Sequence, residues 1–165
     1  MKKLRLVLFE NCNRSCPGCC NKDWDLKHLS VVESYSEYDV VMLTGGEPML
    51  NPELIIETAW KIREVSDAKI YVYTAKVDNV MAMLAVLNFV DGITVTLHEQ
   101  SDVKPFLQFD YDLNCMCIDK SLRLNIFKGI NIKEEDLYAD WIIKDNITWI
   151  KNCPLPKDEI LMRLN

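Results

Sequence analysis

The sequence predicts an α/β fold in a single domain, with parallel strands joined by helices. Two observations carry this reading. Short apolar runs of strand length alternate about six times with longer amphipathic stretches, and chains ordered this way form parallel sheets through right-handed crossovers. No internal repeat, linker or low-complexity tract breaks the alternation across the 165 residues, so one core is expected.

Leu4 to Phe9 is the first strand, a short run in which Leu4, Leu6, Val7, Leu8 and Phe9 are apolar. It feeds a tight loop, Cys12-Asn13-Arg14-Ser15-Cys16-Pro17-Gly18-Cys19. Val31 to Tyr38 is weakly patterned and is read as a short helix. Tyr38 to Leu43 is a buried strand, ending in Thr44-Gly45-Gly46-Glu47-Pro48. Two glycines let backbone approach a ligand closely and adopt positive φ. Asn51-Pro52 opens a helix, Asn as the cap and Pro in the first turn. Its apolar face is Leu54, Ile55, Ala59, Ile62 and Val65.

Lys69 to Thr74 is a strand with Ile70 and Val72 opposite Tyr71 and Tyr73. Asp78 is expected to cap a mostly buried helix running to about Phe89, whose methionines read as core filler. Asp91-Gly92 turns into the strand Ile93 to Leu97. A short helix is expected from Val103 to Leu113, a strand from Ser121 to Phe127, a helix from Glu134 to Ile143 and a last strand from Ile147 to Ile150. Asn152-Cys153-Pro154-Leu155-Pro156 and a short tail follow. The cysteine loop, Gly45–Pro48, His98 and Cys153 all come after strands. They would therefore share the carboxyl rim, where α/β proteins place their chemistry.

The cysteine spacing points to metal. The loop is too short and polar to hold a core of its own. Three thiolates in one loop can hold three irons of a cubane cluster and leave the fourth iron open to a ligand that is not protein; ordinary electron-transfer clusters use four cysteines. A structural zinc knuckle is the alternative, and would need a fourth ligand such as Cys20 or His28. Scattered buried cysteines are the other.

Apolar residues make up 49% and charged residues 27% of the chain, as in a soluble globular protein. No apolar run reaches membrane-spanning length, and Met-Lys-Lys-Leu-Arg-Leu reads as a strand entry with no signal-peptide cleavage site behind it. Seven cysteines without a secretion signal point to a reducing, cytoplasmic setting. A net charge of −6 argues against nucleic acid as a partner. The first 30 residues are locally basic, with Lys2, Lys3, Arg5, Arg14, Lys22 and Lys27 against Glu10, Asp23 and Asp25. That suits an anionic cluster, substrate or protein partner, and equally a solvated face.

Cys12, Cys16 and Cys19 stand in a CxxxCxxC pattern that resembles the signature of the radical S-adenosylmethionine (SAM) enzymes. Thr44-Gly45-Gly46-Glu47-Pro48 is similar to that family's GGEP motif, which holds the methionine amino group of SAM. Val90-Asp91-Gly92-Ile93-Thr94-Val95-Thr96-Leu97-His98 resembles its fourth strand, and Arg123 to Asn131 resembles the fifth-strand pattern of its molybdenum-cofactor-type and peptide-modifying members, in which an Asn placed like Asn125 faces the cofactor. The CPGC loop with Asn21, Lys22 and Trp24 resembles glycyl-radical-enzyme activases, above all the small activase of anaerobic ribonucleotide reductase. Many members carry an aromatic just before the third cysteine; Gly18 stands there here.

The resemblance implies a partial (β/α)6-type barrel over residues 1–165. It implies a [4Fe-4S] cluster on Cys12, Cys16 and Cys19, and SAM held by Thr44, Gly45, Gly46, Glu47, Pro48, Thr96, His98 and Asn125. Glu47 is expected as an exposed rim acid that accepts a hydrogen bond from the SAM ammonium. Reductive cleavage of SAM would give a 5′-deoxyadenosyl radical that takes hydrogen from a small molecule or from a protein or peptide, with flavodoxin or ferredoxin as electron donor and no membrane involved. The alternatives are an activase that makes a glycyl radical on a partner enzyme, and a non-catalytic iron–sulfur or zinc module. No catalytic side chain is named by the sequence. Cys20, Cys115, Cys117 and Cys153 read as buried or free thiols, or as ligands of a second cluster.

Overall fold

A computed structural model describes residues 1–116 and 118–165. Its centre is a seven-stranded, all-parallel sheet in one domain. The strands are β1 (Lys3–Val7), β2 (Val40–Thr44), β3 (Lys69–Thr74), β4 (Gly92–Leu97), β5 (Ser121–Phe127), β6 (Ile142–Ile147) and β7 (Glu159–Arg163), in the order β6-β5-β4-β3-β2-β1-β7. Three helices, α1 (Pro52–Arg63), α2 (Val80–Leu87) and α3 (Val103–Cys115), lie in the crossovers. The sheet does not close, so the α/β fold is an open, partial barrel. Among the described residues no helix is long and apolar enough to cross a membrane.

Side-chain parity explains the layers. Leu4, Leu6, Val41, Leu43, Ile70, Val72, Ile93, Val95, Leu122, Leu124 and Ile126 are buried, and they join Ile55, Ile62, Met83, Leu87, Phe106 and Phe109 of the helices in one hydrophobic cluster. Each such side chain contributes about 1.5–3 kcal/mol by leaving water. The intervening positions, Arg5, Tyr71, Tyr73, Thr94, Thr96, Arg123 and Asn125, point to the opposite face. The guanidinium carbons of Arg5 and Arg123 lie 5.1 and 5.6 Å from the ring centres of Tyr73 and Tyr71.

Several local expectations need correction. Residues 31–38 form no helix: Val31 bridges Arg163 in parallel, and Val32 N–H donates to the Arg163 carbonyl (3.0 Å). Asn79, not Asp78, caps α2, accepting from Ala82 N–H (3.1 Å). Val65 lies beyond α1 and is 53% exposed.

The expected helix over Glu134 to Ile143 is a single 3-10 turn (Glu134–Asp136), a loop and the start of β6. Its cause is Asp110, fully buried on α3, which accepts from Tyr138 N–H (2.8 Å), Ala139 N–H (3.0 Å) and Trp141 Nε1–H (2.7 Å). In a helix begun at Glu134 the Tyr138 and Ala139 amides would bond back to residues 134 and 135; they are spent on the Asp110 carboxylate instead, and the helix does not continue. The strand expected at 147–150 therefore ends at Ile147. The tail supplies β7, which pairs with β1 from Lys3↔Glu159 to Val7↔Arg163. Arg5 Nε–H donates to Glu159 (2.8 Å) and Lys3 to Asp158 (2.5 Å) across that seam.

Candidate cofactor pocket at the carboxyl rim

The loop after β1 and the turn after β2 are zipped together through backbone. Leu8 N–H donates to the Thr44 carbonyl (2.9 Å), Gly46 N–H to Phe9 (2.7 Å) and Glu47 N–H to Asn11 (2.8 Å). The side-chain amide of Asn21 adds a bond to the Gly45 carbonyl (2.5 Å). This fit accounts for both glycines. Gly45 has φ +138°, and a Cβ there would stand 2.5 Å from the Phe9 carbonyl oxygen; a Cβ at Gly46 would overlap the Asn11 carbonyl. The close approach read from the sequence thus includes one made by the protein's own cysteine loop.

Glu47 is not an exposed rim acid. It is 3% exposed. One carboxylate oxygen accepts from Met49 N–H (3.0 Å) and the Thr74 hydroxyl, the other from Ala75 N–H (2.8 Å). Glu47 therefore caps the one-turn 3-10 helix Pro48–Leu50 and fastens it to the end of β3.

Arg14 fixes the cysteine loop from the other side. Its guanidinium donates to both oxygens of Asp102 (2.8 and 2.6 Å) and to the Ala75 carbonyl (3.0 Å). Asp102, buried at the turn after β4, also accepts from His98 N–H (2.8 Å) and Glu99 N–H (3.0 Å). Burial alone would raise the Asp102 carboxyl, but the Arg14 and amide hydrogen bonds outweigh it and hold the group below the usual range. Burial, with Arg14 nearby, lowers His98 and keeps it neutral at pH 7. Its Nδ1 is buried without a partner, and its ring stacks on Trp149 at 5.1 Å and 6°.

Arg14, Glu47, His98 and Trp149 line one cavity of about 310 Å³, within the range of small-ligand pockets. Cys12, Cys16 and Cys19 border it as free thiols. Burial raises Cys16, and the neighbouring Cys19 and Cys12 raise it further. Thr44, Gly45, Gly46, Glu47, Thr96, His98 and Asn125 border it too. Pro48 is buried behind the turn in the first position of the Pro48–Leu50 helix. Thr96 and Asn125 are register partners on β4 and β5, joined by an amide-to-hydroxyl bond (3.3 Å). Among the described residues no three His, Cys, Asp or Glu side chains are drawn together as a ready metal site.

Sequence reasoning missed the roof. Residues 148–153 cross the cavity, and Trp149 packs on Phe127 (4.3 Å between ring centres) and directly over Gly18, where a Cβ would stand 2.6 Å from Trp149 Cβ. Cys20 and Cys153, expected as buried or free thiols or second-cluster ligands, are joined in a disulfide. Cys115 is an exposed free thiol, and Cys117 lies outside the described residues.

No family model matches the chain, and no solved structure matches it. Over 72 residues it is 33% identical to a protein of Methanocaldococcus jannaschii provisionally named a glycyl-radical enzyme activating enzyme. The likeness is distant and partial: it covers 38% of this chain and 30% of that protein's length.

Proposed function

We propose that the chain is a radical SAM enzyme and, more narrowly, an activase that generates a glycyl radical on a partner enzyme. The observation that carries the reading is the meeting of Cys12, Cys16 and Cys19 with the Gly45–Gly46 turn in one cavity at the carboxyl rim. A plain zinc or iron knuckle has no use for that turn. The name of the M. jannaschii relative and the CPGC loop with Asn21, Lys22 and Trp24 favour the activase over a small-molecule enzyme. A protein partner and a flavodoxin or ferredoxin donor belong to the same proposal, as do a cytoplasmic setting and a core domain spanning residues 1–165.

The donor set fits the group. Three free thiols, of which Cys16 is raised by burial and by its two neighbours, border a cavity also lined by the Gly45–Gly46 turn and by Thr96, His98 and Asn125. Cys12, Cys16 and Cys19 would hold a [4Fe-4S] cluster. Thr44 to Pro48 would present backbone to the SAM amino group, with Glu47 fixing the turn from behind. Thr96, His98 and Asn125 would face the rest of SAM. The chemistry supplied when cluster and SAM are bound is one-electron cleavage of the sulfonium carbon–sulfur bond, giving a 5′-deoxyadenosyl radical that removes a hydrogen atom from substrate. The protein's part is to seat the loop through Arg14 and Asp102 and to keep water out under Trp149.

Anaerobic reconstitution tests the reading. Wild-type protein should take up about four irons and four sulfides per chain and, with dithionite and SAM, release 5′-deoxyadenosine and methionine. The triple Cys12→Ala, Cys16→Ala, Cys19→Ala variant should do neither. Full iron in that variant, or SAM bound but never cleaved by wild type, overturns the proposal.

A further inference from the structure

We propose that Cys20 and Cys153 form a redox-active pair that fastens and releases the strap of residues 148–153 over the pocket, with a dithiol as its reductant. The two residues are 133 apart in sequence with Cα atoms 5.2 Å apart, inside the range of a disulfide. Both border the cavity, so the bridge sits in its wall.

What the bridge holds has little else to hold it. Among the described residues, one hydrogen bond ties 148–153 to the rest of the chain, from Trp24 Nε1–H to the Cys153 carbonyl (3.0 Å). Trp149 supplies the packing, on His98, Phe127 and Gly18, yet is still 38% exposed, and Ile150 is 63% exposed. Cutting the bridge leaves one hydrogen bond and the packing of a single side chain, Trp149. Segments tied this sparsely open at low free energy.

The surroundings argue against a permanent staple. Without a cluster, Cys12, Cys16 and Cys19 border the same cavity as free thiols, and Cys19 is adjacent in sequence to Cys20. A disulfide among thiols is open to exchange, and where thiols are kept reduced a bridge is typically transient or redox-sensing. The step balances as follows. A thiolate of the dithiol attacks one sulfur of the bridge, forms a mixed disulfide and expels the other cysteine as a thiolate, which takes up the proton the attacking thiol gave up. The second thiol of the reductant then resolves the mixed disulfide. Two electrons and two protons pass to Cys20 and Cys153, and the dithiol becomes a disulfide. The closed, oxidised state covers the rim; the open, reduced state uncovers it.

The proposal does not depend on what the cavity binds, so its test uses the full chain without iron or SAM. Protein equilibrated in oxidised or reduced dithiothreitol is alkylated, and its peptides are mapped by mass. Hydrogen–deuterium exchange is followed over residues 147–153 in the same samples. Expected are a reversible Cys20–Cys153 linked peptide in the oxidised sample alone, and exchange at least tenfold faster on reduction. Cys153→Ser should exchange fast in both buffers, while Cys115→Ser should follow wild type. Alkylation of both Cys20 and Cys153 in the oxidised protein overturns the proposal. So does a Cys20 bridge to Cys12, Cys16 or Cys19, or equal exchange of 147–153 in the two wild-type samples.

Discussion

Two segments close on the cysteine loop, and they are held in opposite ways. The turn Gly45–Pro48 is bound by backbone: Gly46 and Glu47 donate amides to Phe9 and Asn11, and Asn21 reaches the Gly45 carbonyl. The strap of residues 148–153 is bound by side chains: Trp149 on Gly18, Trp24 on Cys153 and the Cys20–Cys153 bridge. Backbone pairing forms whenever the sheet forms, because buried amides must find partners. Side-chain fastening can be undone without touching the sheet. One wall of the pocket is therefore part of the fold, and the roof is an attachment.

The sharpest way to break the comparison is to add one carbon to each side. At Gly46 a Cβ meets the Asn11 carbonyl, which cannot move without unzipping the two loops. Gly46→Ala should cost about 3 kcal/mol, read as a lowered midpoint in urea. At Gly18 the obstacle is the Trp149 side chain, and an attachment can lift away. Gly18→Ala should cost about 1 kcal/mol or less while shifting the tryptophan fluorescence. Equal losses would erase the distinction.

Glu47→Gln sharpens it further. The carboxylate serves two amides and a hydroxyl behind the turn, and hydrogen bonds to a charged group are worth about 1.5–3 kcal/mol. Stability should fall by about 2 kcal/mol, the reverse of what an exposed rim acid predicts. A melting curve unchanged from wild type would show that the turn holds without it.

The smallest effect concerns acid. Asp102 is held below the usual 3.8 of an aspartate. A depressed carboxyl contributes stability that is fully present above its unfolded value and lost as pH falls through its folded value. Wild type should therefore lose this contribution as pH drops below about 4. Asp102→Asn should start less stable at pH 7 and show a flatter acid limb. Parallel acid limbs in urea titrations would rule Asp102 out as the source.

The legible parts of the molecule are those fixed by neighbours in sequence. Strands β1 to β5 show as short apolar runs, β3 and β5 also by their alternation, as Ile70 and Val72 stand against Tyr71 and Tyr73, and Asn51-Pro52 announces α1. The cysteine loop and the glycine pair are legible for the same reason. What sequence hides are long-range partners. Glu159–Arg163 becomes a strand because Arg5 and Lys3 wait for it across the sheet, and residues 134–141 fail as a helix because Asp110 takes their amides. The burial of Glu47 depends on Thr74 and Ala75, 27 and 28 residues away. The pairing of Cys20 with Cys153 gives no periodic signal at all.

The sheet order has a consequence for the time course of folding. The first strand in sequence lies between the second and the seventh. As the chain leaves the ribosome, β1 to β6 can pair in the order they emerge, each with a recent neighbour. The other edge of β1 stays open until residues 159–163 are made. That edge carries Arg5 and Lys3, uncompensated until Glu159 and Asp158 arrive. Closing so long a loop comes late and slowly, so the nascent protein exposes a charged strand edge next to its cysteine loop. A charged edge is one that resists pairing with the wrong chain. The two cations beside β7 thus guard the seam before they seal it.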